Sequence, residues 1–343
     1  MSNLTEIIKT IAAHAGKQEP LNWTTFSDGR VWAQDTPGGA LGLVPELAGI
    51  DCCVASGALL KALRAMPGEP AFEHSGSVLT ISSGSSRACL PTVSRSAAPK
   101  MVTPMVKAKW QPVPFLQDID KVAWAISEDV TRTHLRGVYL DQHAIVATNG
   151  HTLAIVRAQD KIEQVPPSGV LFAPKVAAGL GEDVEIAFGK QAIFFSGDKG
   201  ETFRFANVLD AVFPPYNRVI QDPKGSSTLV VDAEQFRGAI KRSKLTGSEG
   251  FVAQIDPSGI RIDVVGRTEL TLFDLTDHVP AIRGGDGRAK SKDQVEIDLS
   301  IEYVSSALGA IGSGEVLIRY LGPLDPVSFE AGQYQAIVMP MRR

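Results

Sequence analysis

Long apolar runs are missing from this sequence. No stretch approaches the roughly eighteen consecutive apolar residues that a bilayer-crossing helix needs. The opening MSNLTEIIKTIAAH has no basic flank followed by an apolar run, so no signal peptide is expected, and the protein reads as cytoplasmic with no membrane partner. Cysteine is scarce. Cys52, Cys53 and Cys89 cannot all pair, and with six scattered histidines they make no metal-ligand spacing, so they read as reduced, structural residues. A basic excess is also lacking. A net charge of −4 and a pI of about 5.9 exclude a protein that coats itself in nucleic acid by overall charge, but leave room for a local basic lining.

The motifs of catalysis are absent too. Gly189-Lys190 is followed by Gln191 and lacks the glycine frame of a P-loop. There is no GxSxG elbow and no HExxH, and Gly309, Gly312 and Gly314 are wrongly spaced for a dinucleotide fingerprint. His151 in TNGHT has no nucleophile poised beside it and reads as a packing or hydrogen-bonding residue. The expectation is a non-enzyme with no cofactor and no metal.

What is present is a repeat. The segments GRVWAQDTPGGALGLV, HAIVATNGHTLAIVRA and GIRIDVVGRTELTLFDL share a turn followed by alternating strand residues. Val31, Ile145 and Ile260 hold the matching position, a period of about 115 residues. A second element recurs, an amphipathic helix followed by strands: GALLKALRAMP, APKVAAGLGED and LSIEYVSSALGAI each precede a β-type run. Each repeat also opens on a helix, in LTEIIKTIAAHA, PFLQDIDKVAWAISED and AEQFRGAIKRSKL; Leu4, Ile7, Ile8 and Ile11 recur at helical spacing. The glycine- and charge-rich AIRGGDGRAKSKDQ reads as an inserted loop, while KAKWQPVP and QDPKGSS read as joins.

The apolar content of 44% over 343 residues supplies several cores, and a period this long marks a repeated domain rather than a solenoid. The expected class is α+β. Three tandem domains of like topology span 1–107, 113–222 and 227–343, each with two helices packed on antiparallel sheets.

THLRGVYLDQHAIVATNGHTLAIVRA, FRFANVLDAVFPPYNRVI and the ending IVMPMRR, in that order, resemble the bacterial DNA polymerase III β subunit family of replicative sliding clamps. In the first repeat VASGALLKALRAMP and SGSSRACLPTV are similar. The resemblance implies a DNA clamp fold and a ring of two chains joined head to tail around duplex DNA. It further implies a processivity factor that tethers polymerase and clamp-loader subunits through short linear peptides, an effective-concentration effect without covalent chemistry. An alternative keeps the fold without the ring: a monomeric peptide-binding adaptor.

The resemblance also implies sites. A peptide groove would take Leu135, Thr148, Gly150, His151 and Leu153, then Pro214, Arg218 and Val219, then Ile337, Met339, Pro340, Met341 and Arg342. Strand alternation puts Ile337 and Met339 on one face before Pro340 leads the chain out of the ladder. Methionine suits a groove that accepts several partners. Two departures stand out. Arg343 replaces the family's apolar last residue, favouring acidic ligands, and Asn149 stands where an aspartate is usual.

For DNA, Lys17, Lys61, Arg64, Lys175, Lys241, Arg242 and Lys244, joined by Lys9 and Arg237, outnumber Glu6, Asp118, Asp120 and Glu302 on the helices expected to line the hole. Arg132 and His134 match a stretch that touches DNA in the family, with Thr133 in place of an aromatic residue. Ring closure would use Arg87 and Leu90 against Leu245, Thr246 and Glu296.

Overall fold

A computed structural model describes the chain except for residues 1–3, 101, 103–109, 113–117, 164, 178–183, 190, 198–201, 221–224, 268–271, 285–294 and 343. The same element order is written three times. In the first repeat, helix α1 (Leu4–Ala12) precedes strands Trp23–Ser27, Arg30–Asp35 and Gly38–Leu43. Strand Cys52–Ala55 then leads into α2 (Ser56–Ala65) and strands Ala71–Ser75, Val78–Ser83 and Ser86–Val93.

The second repeat runs α3 (Ile119–Ala123), three strands between Val138 and Arg157, Val170–Phe172, a 3-10 turn at Pro174–Val176, and three strands between Glu185 and Asn207. The third runs α4 (Ala233–Ser243), three strands between Gly250 and Gly284, Val295–Ser300, α5 (Ile301–Ile311), and Glu315–Tyr320, Val327–Ala331 and Tyr334–Val338. Val31, Ile145 and Ile260 each fall in the middle strand of their first triplet, and all three are buried.

One expected helix differs. APKVAAGLGED begins as a 3-10 turn, Pro174–Val176, with the proline in its first turn; residues 178–183 lie outside the described residues. Most of the two expected joins and of the inserted loop lie outside them as well.

The chain divides into two compact units, residues 1–117 with 162–166 and 172–209, and residues 118–161 with 167–171 and 210–343. The central repeat is shared between them, because strands pair across the repeat boundaries. In the first unit Gly38–Gly42 pairs antiparallel with Thr202–Ala206. Gly38 is required there: its φ is +154°, and a Cβ would collide with the Phe205 carbonyl. In the second unit Thr152–Val156 pairs antiparallel with Tyr334–Val338, a strand whose five residues are all buried. The terminal β-type run is thus an interior strand of a twelve-stranded sheet.

Each unit has its own core. In the first, Ile7, Ile8 and Ile11 of α1 and Leu59 and Leu63 of α2 close over Phe26, Val31, Leu79 and Ile81. The three-and-four spacing of the isoleucines turns them to one side, and burying each contributes about 1.5–3 kcal/mol. In the second unit α4 and α5 pack together, and Phe236 lies 6.2 Å from Phe329 at an interplanar angle of 45°. Both helices start on a side-chain cap: Asp232 accepts from the Gln235 amide at 2.8 Å and Ser300 from the Tyr303 amide at 3.4 Å.

Candidate peptide-binding groove

The pairing of Thr152–Val156 with the last strand sets Leu153 opposite Ile337 and Thr152 opposite Val338. One step on, the Met339 amide donates to the His151 carbonyl at 2.9 Å, so the terminal segment is tied to the Thr148–Thr152 turn. That turn is held from within. Asn149 Oδ1 accepts from the His151 amide (2.9 Å), the Thr152 amide (2.8 Å) and the Thr152 hydroxyl (3.1 Å). The Thr148 hydroxyl donates to the Thr152 carbonyl at 2.6 Å and accepts from the Gly150 amide at 3.1 Å. Gly150 takes φ +93°, a conformation that favours glycine.

Beside this turn lies an apolar cavity of about 300 Å³. Leu153, Ile337 and Met339 line it from the sheet, Thr148, Gly150 and His151 from the turn, and Leu135 from the 3-10 turn Thr133–Leu135. Pro214 and Val219 line it from the opposite segment. The sequence reading missed four lining residues. His134, assigned to DNA, faces this cavity, as do Thr152, Pro215 and Tyr216. The aromatic and double proline of FPPY were the available signal, but no periodicity assigns a face to a non-helical, non-strand segment.

Four expected groove residues do not line the cavity: Arg218, Pro340, Met341 and Arg342. Met341 has another place. Its amide donates to the Asp298 carbonyl at 2.8 Å, and its sulfur lies where a Cβ on Gly250 would meet it at 2.7 Å. After Pro340 the chain therefore leaves the groove for the Gly250–Asp256 and Val295–Ser300 strands.

Residues 112–215, which supply much of this groove, match the family model of the DNA polymerase III beta subunit, central domain. Beyond that segment the chain is similar to β sliding clamps over about seven tenths of its length. Its relatives include the beta sliding clamp of Rickettsia felis, 28% identical over 286 residues that make up 73% of this chain and 71% of the relative. That of Caulobacter vibrioides is 25% identical over 271 residues, 72% of this chain and 68% of the relative. The fold extends further than the sequence likeness. The DNA polymerase III beta subunit of Thermotoga maritima superposes with a TM-score of 0.82 at 21% identity, covering 99% of this chain and 97% of that one. The Caulobacter crescentus pol III beta structure gives 0.81 at 20%, covering 100% and 98%.

Within this clamp fold the cations expected to meet DNA divide into two groups. Lys17, Lys61, Arg64, Lys241 and Lys244 are exposed and have no carboxylate at ion-pair distance among the described residues. Others are engaged: Lys9 with Glu6 at 2.8 Å, Arg132 with Asp129 at 3.4 Å, Lys175 with Asp35 at 3.7 Å and Arg242 with Asp277 at 2.6 Å. Arg237 donates to the Gly312 carbonyl at 2.7 Å.

The residues expected at ring closure lie on or near strand edges. Ser86–Pro91 pairs with Val78–Ser83 on one side, and the neighbouring Cys52–Ala55 strand reaches only Thr92 and Val93 on the other. Val295–Ser300 ends its sheet, pairing with Gly250–Asp256. Arg87 and Glu296 are exposed, Glu296 accepting from the Gln254 amide group at 3.0 Å. Leu90 packs partly on the core of the first unit. Leu245 is 78% exposed. Thr246 differs from expectation: it is buried, its hydroxyl donating to the Ser243 carbonyl at 2.8 Å, so it locks its own turn rather than facing a partner. Among the described residues no cluster of three or more metal-ligating side chains occurs, and Cys52 and Cys53 are buried while Cys89 is exposed.

Proposed function

We propose that this chain is a DNA sliding clamp, a non-catalytic processivity factor that encircles duplex DNA and tethers DNA polymerase, clamp-loader subunits and other partners through short linear peptides. The observation that carries this reading is the apolar cavity where the last strand of the third repeat joins the central repeat, in a fold that follows solved clamps over the whole chain. A cavity of about 300 Å³ sits at the low end for ligand clefts and suits a few apolar side chains of a peptide.

On this reading the chain is built as domains 1–107, 113–222 and 227–343, works in the cytoplasm and pairs with a second copy head to tail. The free edges of Ser86–Pro91 and Val295–Ser300 then meet across each junction, where main-chain pairing removes two sticky edges at once. Lys17, Lys61, Arg64, Lys241 and Lys244, with Arg132, Lys175 and Arg242 as secondary contacts, face phosphates. A water-mediated, sequence-independent grip of this kind permits sliding.

The test is light scattering across a concentration range, followed by retention on nicked circular DNA. A mass of two chains, lost on combining Leu90→Glu with Leu245→Glu, and retention that disappears when the circle is cut, are expected. A persistent monomer that still binds peptide would replace the ring by a monomeric adaptor.

A further inference from the structure

One wall of the groove belongs to no sheet. Pro214, Pro215, Tyr216 and Val219 come from a segment whose described regular structure is a single 3-10 turn, Tyr216–Val219. Something must fix that wall against the strands that form the floor. The Tyr216 hydroxyl donates to Asp141 Oδ2 at 2.7 Å. Asp141 is itself immobilised, because its Oδ1 accepts from the amides of His143 and Ala144 at 2.7 and 2.8 Å at the start of the Ala144–Thr148 strand.

The ring is held as well. Tyr139 and Phe213 stack at 4.6 Å and 2°, and Tyr216 stands edge-on to both, at 6.4 Å and 64° and at 6.5 Å and 63°. Tyr139 is anchored in turn, donating to the Ser168 carbonyl at 2.9 Å. Edge-to-face and offset-stacked rings prefer these separations, so the cluster has a preferred geometry and is not merely a greasy contact.

We infer that Tyr216 is a positioning and specificity-determining residue of the groove: the Asp141 bond and the Tyr139–Phe213 stack pin the loop wall to the sheet and so set the groove's width for the apolar side chains of a peptide. This rests on the peptide-binding reading. A wall fixed before binding spares the peptide the cost of ordering it, and a fixed width discriminates side chains by bulk. Loss of the pin lowers affinity through faster dissociation and flattens that discrimination.

The experiment uses the full chain and two end-labelled ten-residue peptides that differ in ending on Leu-Phe or Leu-Leu. Affinities and dissociation rates are read by fluorescence anisotropy and stopped flow. Tyr216→Phe keeps the ring and deletes one hydrogen bond. It is expected to bind the preferred peptide about fivefold more weakly, with a selectivity ratio closer to one, at an unchanged melting temperature. Asp141→Asn, whose amide can donate to the phenol oxygen, is expected to lose less than twofold, and adding it to Tyr216→Phe should cost nothing further.

Wild-type chain that binds neither peptide would overturn the groove reading and this inference with it. Wild type that binds while Tyr216→Phe matches it in affinity and in selectivity would overturn the inference alone.

Discussion

Asn149 offers the sharpest test of how the groove is built. Its side-chain oxygen collects three donors, the His151 amide, the Thr152 amide and the Thr152 hydroxyl. His151 is exposed, so its amide can return to water when the acceptor is removed, whereas Thr152 is 2% exposed and its two donors cannot readily do so. Counting those two at about 1 kcal/mol each, Asn149→Ala should weaken the turn by about 2 kcal/mol. In native-state amide exchange this is a loss of about 30-fold in protection at Thr152. The Met339 amide, bonded to the His151 carbonyl, should lose protection with it. Asn149→Asp keeps an acceptor oxygen for all three donors and should retain wild-type protection at neutral pH. Donors aimed at a carboxylate favour its charged form and depress its pKa, so that stabilisation is present above the ordinary carboxylate range and is lost as pH falls through the depressed value. Full protection at Thr152 in the Ala variant would refute this account of the turn, and so would an Asp variant that behaves like Ala at neutral pH.

Two further outcomes follow from charge. Burial pushes the His14 imidazole below its ordinary 6.5, with Arg204 and Lys175 adding in the same direction against the opposing hydrogen bond to the Thr10 carbonyl. The unfolded chain then holds that proton more tightly, so His14's contribution is neutral above 6.5 and turns destabilising as pH falls through that value; His14→Gln should flatten this part of a stability-versus-pH curve measured by urea unfolding. On α4, Lys241 is unpaired among the described residues whereas Arg242 is bonded to Asp277 at 2.6 Å. Lys241→Ala should therefore reduce the salt slope of DNA binding by about one and Arg242→Ala by less, and a reversed order would remove α4 from the phosphate-facing set.

The repeat could be read from sequence because it is written in local alternation. Val31, Ile145 and Ile260 sit inside period-two runs, and burial of one sheet face enforces that period wherever the run occurs. The isoleucines of α1 were legible for the same reason at the helical period. Partner choice between strands is another matter. Nothing in GGALGL announces that it pairs with TFRFAN, or in TLAIVR that it pairs with YQAIV, because main-chain ladders are nearly blind to side-chain identity. Charge pairing divides in the same way. Arg132 with Asp129 lies within one turn of chain and could have been anticipated, whereas Arg242 with Asp277 depends on α4 lying over a strand thirty-five residues away.

The second unit does leave one trace of its pairing in the side chains. Across the strands that carry the second and third repeats, Arg157 donates to Gln335 at 2.7 Å, and Gln335 donates to Ser328 at 2.9 Å and to Glu330 at 3.3 Å. Glu330 also accepts from Ser328 at 2.9 Å and from Arg319 at 3.1 Å. Gln335 and Ser328 are buried, so shifting the last strand by one residue would strip this network of partners as well as turn Ile337 away from the groove. Apolar alternation alone does not choose among registers of YQAIVMPMRR two residues apart, because such a slip keeps each side chain on its face. The polar chain through Gln335 selects the one that sets Ile337 opposite Leu153 and delivers the Met339 amide to His151, so the groove's geometry is specified from a set of polar contacts outside it.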